Sequence, residues 1–252
     1  MKIEEYLKSL PENIVSGEDV QLSDKSFRDI YDFIDLNKTD IFYHLGCGNG
    51  RGVALALKEY HVKRAIGIDN NSNKIEQARK ILNQDNLLGE LICGNVKDAD
   101  ISDATAILFW FTDEELIKHM MHKFKDLKQG TKIITIWGPL PNCLPSEIEF
   151  PYIVNQVPFI KANSLQEQVL AIFGVRCINF VTAWEFAERY TKAISSPKVR
   201  NDRFLTIIQT LVIWINAKNL GISCEDKIPE SIQTYIDIMK MHFNIDFQHL
   251  LK

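Results

Sequence analysis

Four glycines at alternate positions are the part of this sequence whose spacing points most directly to chemistry. Gly46, Gly48, Gly50 and Gly52 follow the short apolar segment IFYHL (41–45). Glycine lacks a Cβ atom, so the backbone can take unusual conformations there and can come close to a ligand. Such a turn between a strand and a helix predicts a ligand held by backbone N–H groups. A tight turn without any ligand is the alternative that the glycines alone leave open.

An acidic residue follows the glycines at a distance that suits nucleoside binding. Asp69 ends the segment RAIGID (64–69), roughly 20 residues after the glycines, which is where a carboxylate reaches the two hydroxyls of a ribose. Its oxygens can accept hydrogen bonds from both hydroxyls. The alternative is that Asp69 only caps the helix that follows. Asn95 comes after the segment GELICG and is predicted to lie at the end of a further strand.

Strand and helix patterns alternate from residue 23 to about residue 137 and would position these side chains. The predicted strands are IFYHL, RAIGID, GELICG, ATAILFWF (104–111) and TKIITIW, and each helical segment between them carries apolar residues at helical spacing. Thr112 and Glu115 have the spacing of a capping box at the start of one of these helices. The alternation predicts an α/β fold with a doubly wound parallel sheet.

The pattern changes after Trp137. Five of the eight prolines lie within residues 138–160, which predicts a loop with an edge hairpin. From about residue 163 the spacing of apolar residues is helical throughout. We therefore predict two domains, residues 1–160 and an all-helical C-terminal region at residues 161–252, which could also offer a surface for a homo-oligomer.

Composition narrows the class of protein and its compartment. The net charge is −4 and the sequence pI is about 5.9, which argues against a nucleic-acid partner. The five cysteines are odd in number and form no CxxC pair, which favours a reducing compartment over a disulfide framework or a zinc site. His119 and His122 have no third ligand nearby, so no metal is predicted. The N-terminal segment has no long apolar stretch, which predicts a cytoplasmic protein without a membrane anchor.

The glycine pattern together with Asp69 resembles motif I of the class I S-adenosylmethionine-dependent methyltransferases. The third glycine is Gly50, giving GxGxG, whereas the dinucleotide fingerprint would place it at position 51. The resemblance covers about residues 14–137 and implies a Rossmann-like fold with S-adenosylmethionine as cofactor. The residues it implies at the cofactor pocket are Glu18, His44, Gly46, Cys47, Gly48, Gly50, Asp69, Asn70, Asn95 and Val96.

His44 departs from the family pattern, because these enzymes usually carry Asp or Glu at this position. A neutral histidine can accept a hydrogen bond from the amine of the cofactor but brings no negative charge. Either the ammonium is balanced elsewhere, or cofactor affinity is lower, or the site has lost activity. A satisfied structural histidine is the other interpretation. Cys47 is interpreted as a packing residue, although a helix N-terminus could also favour its thiolate.

Two further segments resemble the non-SET, disruptor-of-telomeric-silencing type of protein-lysine methyltransferase and its archaeal relatives. These are Ser16-Gly17-Glu18, whose Glu18 matches the acid of a loop over the cofactor, and HKFKDLKQGTKIITIW before and within the last parallel strand. The resemblance implies a protein lysine as methyl acceptor. The alternatives are a small-molecule or RNA methyltransferase, or a cofactor-binding module without activity.

Three aromatic residues after the fourth predicted strand are candidates for the acceptor site. Phe109, Trp110 and Phe111 could guide a lysine ammonium by cation–π attraction. For at least two of them the alternative is a place in the core. No general base can be identified, and a methyl transfer to an amine depends mainly on positioning.

Overall fold

The computed structural model describes residues 21–195 and 202–251. Within these ranges the chain divides into two compact units. The sheet unit consists of residues 24–162, and the helical unit consists of residues 163–195 and 202–251 with residues 21–23. The predicted cofactor residue Glu18 lies outside the described residues.

The strands are short and most of them belong to the sheet unit. In chain order they are β1 (Gln21–Leu22), β2 (Ile41–Leu45), β3 (Arg64–Asp69), β4 (Glu90–Cys93), β5 (Ala106–Phe109), β6 (Lys132–Ile136), β7 (Cys143–Leu144), β8 (Glu147–Glu149), β9 (Tyr152–Gln156), β10 (Ile160–Lys161) and β11 (Ile194–Ser195).

The helices alternate with the strands up to residue 125 and then dominate the C-terminal part. In chain order they are α1 (Asp24–Phe33), α2 (Arg51–Lys58), α3 (Ser72–Gln84), α4 (Glu114–Lys125), α5 (Leu165–Phe173), α6 (Phe180–Ala193), α7 (Asp202–Asn219) and α8 (Glu230–Phe243), with a final 3₁₀ turn at Gln248–Leu250. Of the helices in the described ranges, none combines the length and the apolar character needed to cross a membrane.

A seven-stranded sheet positions the site. Its order is β4-β3-β2-β5-β6-β9-β8. The first five strands are parallel, and β9 pairs antiparallel with both β6 and β8. The chain leaves β2 toward β3 on one side and returns to β5 on its other side, so the switch point of the topology lies at the carboxyl end of β2, where such folds bind ligands. The predicted Rossmann-like α/β fold is confirmed.

The central strand β2 is covered on both faces. Phe42 and His44 face α1, where the ring of Tyr31 lies 5.2 Å from that of Phe42. Tyr43 and Leu45 belong to the core on the other face, which includes residues of β5 and α4. A strand buried on both faces has a continuous apolar sequence, which explains the IFYHL pattern.

The start of α4 differs from the predicted capping box. Asp113 is the N-cap and its carboxylate accepts a hydrogen bond from Leu116 N at 2.9 Å. The Oγ1 atom of Thr112 is buried without a hydrogen-bond partner. The prediction of Thr112 with Glu115 is therefore wrong, because the helix begins one residue later and Asp113 occupies the capping position.

Helices make up most of the C-terminal region, together with one small antiparallel ladder. In this ladder Leu22 of β1 pairs with Ile194 of β11, which is why residues 21–23 group with the helical unit although the predicted division assigned them to the first domain. In the proline-rich stretch, β8 and β9 form an antiparallel hairpin at the edge of the main sheet.

The cysteines also differ from their predicted state. Cys177 and Cys224 form a disulfide across 47 residues of sequence, so the expectation of no disulfide is wrong. The packing of the helices brings the two residues together, which their spacing in the sequence could not indicate. The cysteine pattern therefore no longer supports a reducing compartment.

Candidate active site

The glycine turn after β2 is fixed to the end of β3 by hydrogen bonds. Gly46 N and Cys47 N both donate to Ile68 O, at 2.8 and 3.0 Å. Gly48 N donates to Asp69 Oδ2 at 2.8 Å. The first turn of α2 begins immediately afterwards, so the ends of two neighbouring strands and a helix N-terminus meet at one place.

Three of the glycines have left-handed backbone conformations, each with a different surrounding. The φ angles of Gly46, Gly48 and Gly50 are 75°, 55° and 76°. A Cβ atom at Gly50 would lie 2.5 Å from Ala78 Cβ, and one at Gly46 would lie 2.9 Å from Phe111 Cζ. A Cβ atom at Gly48 would meet nothing within 4 Å. Packing thus requires glycine at positions 46 and 50, whereas Gly48 leaves its backbone accessible beside Asp69.

Asp69 does not cap the helix that follows it. The cap of α3 is Asn71, whose side chain accepts from Asn73 N and Lys74 N, so the capping alternative is wrong. Asp69 instead accepts hydrogen bonds from the glycine turn through Oδ2 and from Asn71 N through Oδ1 at 2.9 Å. A carboxylate offers about four lone pairs, so each oxygen keeps capacity for a further donor, such as a ribose hydroxyl.

The loops after β3 and β4 lie side by side at the same edge of the sheet. Gly94 N donates to Asp69 O at 3.0 Å. Asn70 and Asn95 are both exposed, and the side-chain oxygen of Asn95 accepts from Lys97 N at 3.0 Å. Val96 is 6% exposed and belongs to the core. The structure therefore brings Asn70 and Asn95 to the edge that carries Asp69, while the side chain of Val96 packs inward.

His44 is buried in an apolar environment on the α1 side of β2. It is 7% exposed, and its ring lies 5.6 Å from that of Phe27 and 6.4 Å from that of Phe42. Burial lowers the pKa of His44 to about 4, and the nearby charge of Asp69 only partly opposes this shift. Its Nδ1 atom has no hydrogen-bond partner within the part of the chain that the structure describes. His44 is thus a neutral imidazole.

Cys47 is a packing residue of the turn. It is 4% exposed, and burial, followed by the charge of Asp69, raises the pKa of its thiol to about 12. A Cβ atom at Gly67 would lie 2.9 Å from Cys47 Sγ, so β3 packs tightly against the sulfur. The possibility of a thiolate at this position is excluded by the burial.

The three aromatic residues after β5 have different surroundings. Phe109 is 2% exposed and packs edge-on against Phe124 at 5.1 Å, which is the place in the core that was the alternative to a role at the acceptor site. It points inward because its position in β5 faces the apolar side of α4. Phe111 is half-buried and its ring lies against Gly46. Trp110 is also half-buried. Only Phe111 is brought directly to the glycine turn.

Two residues of α1 contribute to the site and were missed by the sequence analysis. Tyr31 is fully buried, and its hydroxyl donates to Gly52 O at 2.8 Å in the first turn of α2. A Cβ atom at Gly52 would lie 2.7 Å from the ring of Phe27 and 2.8 Å from His44 Nδ1. The fourth glycine therefore allows α1 to pack against the start of α2. The aromatic residues at helical spacing in α1 were the available signal, but they indicated only a buried face.

Known proteins resemble the sheet unit in sequence and in fold. Residues 42–130 match the family described as "Methyltransferase domain". A protein-lysine N-methyltransferase of Saccharolobus islandicus (strain REY15A) is 32% identical over 133 residues, which cover 51% of this chain and 81% of that protein.

One solved structure of a methyltransferase shares the fold, and a second structure aligns more weakly. An RNA methyltransferase from Salinibacter ruber, in complex with S-adenosyl-L-homocysteine, aligns with a TM-score of 0.52 and 22% identity, covering 57% of this chain and 98% of that one. PKMT2 from Rickettsia typhi in complex with AdoHcy aligns with a TM-score of 0.38 and 19% identity, over 48% of this chain and 26% of that one.

The sheet order, the glycine turn and these similarities together define the class of protein. The chain belongs to the class I S-adenosylmethionine-dependent methyltransferases. It is an enzyme of the transferase class, and S-adenosylmethionine is its cofactor.

Proposed function

We propose that this enzyme transfers a methyl group from S-adenosylmethionine to the side-chain amine of a lysine in a protein. The observation that carries the proposal is the similarity to the protein-lysine N-methyltransferase of Saccharolobus islandicus, which extends over 81% of that protein. The matched region therefore spans most of that protein's length. The resemblance of Ser16-Gly17-Glu18 to the cofactor loop of lysine methyltransferases supports the same acceptor.

The described residues fit the cofactor. Gly48 exposes its backbone to open space, and Asp69 lies beside it with unused lone pairs. In the proposed complex the oxygens of Asp69 accept from the ribose hydroxyls, while the backbone at Gly46–Gly50 adjoins the methionine part. Asn70, Asn95 and the backbone at Val96 adjoin the adenine. The role of Glu18, which lies outside the described residues, follows only from its resemblance to the acid of the family's cofactor loop.

His44 gives the methionine end of this site an unusual electrostatic character. The imidazole is neutral because its pKa is lowered to about 4 by burial. It can accept a hydrogen bond from an ammonium group but does not neutralise it. The resemblance implies that the carboxylate of Glu18, which lies outside the described residues, replaces some of the negative charge that His44 lacks.

The chain's remaining task is to position the acceptor amine. S-adenosylmethionine supplies an electrophilic methyl group on a sulfonium. The lysine Nζ atom must be neutral to attack it, and an apolar environment lowers the pKa of a lysine by disfavouring its charged form. In the proposal Phe111, and Trp110 beside it, provide that environment and exclude water. The main contribution to the rate is then the aligned approach of the amine to the methyl group, and no general base is needed.

A labelling experiment tests the acceptor. Purified enzyme is incubated with S-adenosylmethionine carrying an isotopically labelled methyl group, in one series with a mixed protein pool and in another with total RNA. We expect label in protein, located on lysine by mass spectrometry of peptides. Label in RNA alone, or only in small molecules, would show the acceptor to be wrong while leaving the methyltransferase class intact. The Asp69→Ala variant is the matched control, because at limiting cofactor its weaker binding should reduce the labelling of every acceptor alike.

A homo-oligomer formed through the helical region also remains a proposal. Val181, Leu220 and Met241 are 69%, 58% and 72% exposed within the helical unit, so this unit offers apolar side chains that a second copy could bury. Light scattering distinguishes a particle of 29.0 kDa from one of twice that mass. A monomer at all concentrations would remove the proposal.

A further inference from the structure

The disulfide of the helical unit joins two connecting segments. Cys177 lies between α5 and α6, and Cys224 lies between α7 and α8. Their Cα atoms are 5.0 Å apart. The disulfide therefore links the segment that connects α5 to α6 with the segment that connects α7 to α8.

The backbone pairs at the same place. Ile178 N donates to Ile222 O at 2.8 Å, and Cys224 N donates to Ile178 O at 3.0 Å. The side chains of Ile178 and Ile222 are buried, at 2% and 7% exposure. The disulfide, two backbone hydrogen bonds and two apolar side chains thus hold the same junction between the segments.

The segment after Cys224 is otherwise anchored to α7, the helix that precedes it. The indole of Trp214 donates to Glu225 Oε2 at 3.2 Å, and Lys218 Nζ donates to Glu225 O at 3.2 Å. These contacts span 11 and 7 residues of sequence. The junction at Ile178 adds a backbone connection between this part of the chain and the entry of α6, where Phe180 also stacks on Tyr235 of α8 at 6.0 Å.

The two sulfurs differ in accessibility. Cys224 is exposed, whereas Cys177 is half-buried. Of the free cysteines, Cys47 and Cys143 are buried, and Cys93 lies in the sheet unit. A thiol from solution therefore meets the disulfide first at Cys224.

We propose that the Cys177–Cys224 disulfide is a reversible redox site that controls local order in the helical unit. An external thiolate attacks Cys224 Sγ, forms a mixed disulfide with it and releases Cys177 as a thiolate. A second thiolate of the same dithiol compound then displaces Cys224 and completes the disulfide of that compound. Two electrons pass from the dithiol to the protein, and the two cysteines gain two protons.

Reduction removes a constraint on the unfolded chain and leaves the junction with its two hydrogen bonds and its apolar contact. A disulfide that closes a loop of this size stabilises the folded state mainly by restricting the conformations of the unfolded chain. We expect the melting temperature of the helical unit to fall by on the order of 10 °C. Amide hydrogens near residues 176–180 and 221–226 should exchange at least tenfold faster after reduction.

The test compares the full-length enzyme before and after treatment with a dithiol compound such as dithiothreitol. Alkylation of free thiols followed by peptide mass spectrometry identifies the oxidised pair, and hydrogen exchange measures local order. The double variant Cys177→Ser/Cys224→Ser should behave like the reduced protein and no longer respond to the dithiol. Cys93→Ser is the matched control, since this exposed cysteine forms no disulfide, and its response should equal that of the natural sequence.

Three results would overturn the proposal. The first is that Cys177 and Cys224 are both alkylated in protein purified and incubated under an oxidising glutathione buffer. The second is that reduction forms two thiols but changes neither the exchange at the two segments nor the melting temperature. The third concerns reoxidation. Reoxidation in the same buffer should restore the original exchange pattern, and failure to do so would contradict reversibility.

Discussion

The sheet unit and the helical unit are ordered by different kinds of contact. At the glycine turn of the sheet unit the decisive contacts involve the backbone: Gly46, Gly48 and Gly50 have positive φ, and the Asp69 carboxylate accepts from Gly48 N and Asn71 N. In the helical unit side-chain packing dominates. The middle of α7 is buried on all sides, with Leu211, Val212, Trp214 and Ile215 at 0 or 1% exposure.

This difference determines in which region the residue types alone predict the structure. A backbone conformation that only glycine adopts easily restricts the residue type at that position. A helix interior accepts many apolar side chains of suitable volume. The cofactor turn was therefore recognisable from its residues, whereas the helical unit gave only an apolar periodicity.

The most damaging change should be a substitution at a glycine where packing and conformation coincide. We expect Gly50→Val to lower the free energy of unfolding by about 4 kcal/mol, combining left-handed strain with overpacking against Ala78. Urea unfolding followed by circular dichroism measures the change. Gly48→Ala is the matched control: its φ is also positive but its Cβ meets no atom within 4 Å, so its loss should be about 1 kcal/mol. Equal losses would show that packing at Gly50 is not decisive.

His44 should make stability depend on pH. In the unfolded chain its pKa is ordinary, about 6.5, whereas burial lowers the folded value to about 4. As pH falls, His44 therefore becomes protonated in the unfolded state before it does so in the folded state. The free energy of unfolding falls by about 3 kcal/mol in total between about pH 6.5 and pH 4.

The measurement is the free energy of unfolding between pH 4 and 7, compared with that of His44→Asn, which cannot titrate. As pH falls over this range, the free energy of unfolding of the natural protein should decrease relative to that of His44→Asn. Substitution of the exposed His119 by Gln should leave the profile of the natural sequence intact. A parallel course for natural protein and His44→Asn would contradict the neutral, buried state of His44.

Asp69 should affect ligand binding more than stability. We expect Asp69→Ala to weaken the binding of S-adenosylmethionine and S-adenosylhomocysteine by about 1–3 kcal/mol, because the ligand's hydrogen bonds lose their charged acceptor. Isothermal titration calorimetry measures both ligands. Asn71→Ala removes the cap of α3 instead and should cost about 1 kcal/mol of stability with unchanged affinity. Unchanged affinity in the Asp69 variant would remove this residue from the cofactor site.

The smallest effect is expected at a polar residue inside the helical unit. Gln209 is 1% exposed and its Oε1 atom has no hydrogen-bond partner among the described residues. Methionine has a similar shape and no unsatisfied oxygen, so Gln209→Met should leave stability unchanged or raise it by up to about 1 kcal/mol. A loss above about 1 kcal/mol in thermal unfolding would show that this side chain has a polar role in the unit.

Much of the cofactor region could be predicted because its elements leave local traces. The apolar run 41–45, the glycines and Asp69 each reflect a backbone requirement, and the order of strands and helices follows from their periodicity. The aromatic run 109–111 could not be resolved in the same way. Phe109 lies in the core and Phe111 against Gly46, and this division depends on where β5 ends, which the apolar sequence does not mark.

The sequence by itself determined the α/β class, the glycine turn and the acidic residue beside it, because these depend on conformations and spacings within a few residues. The tertiary structure alone decided that Asp69 holds the glycine turn, that His44 is neutral, and that Cys177 meets Cys224. The physical reason is that burial, charge and contact between distant segments arise only when strands and helices pack together.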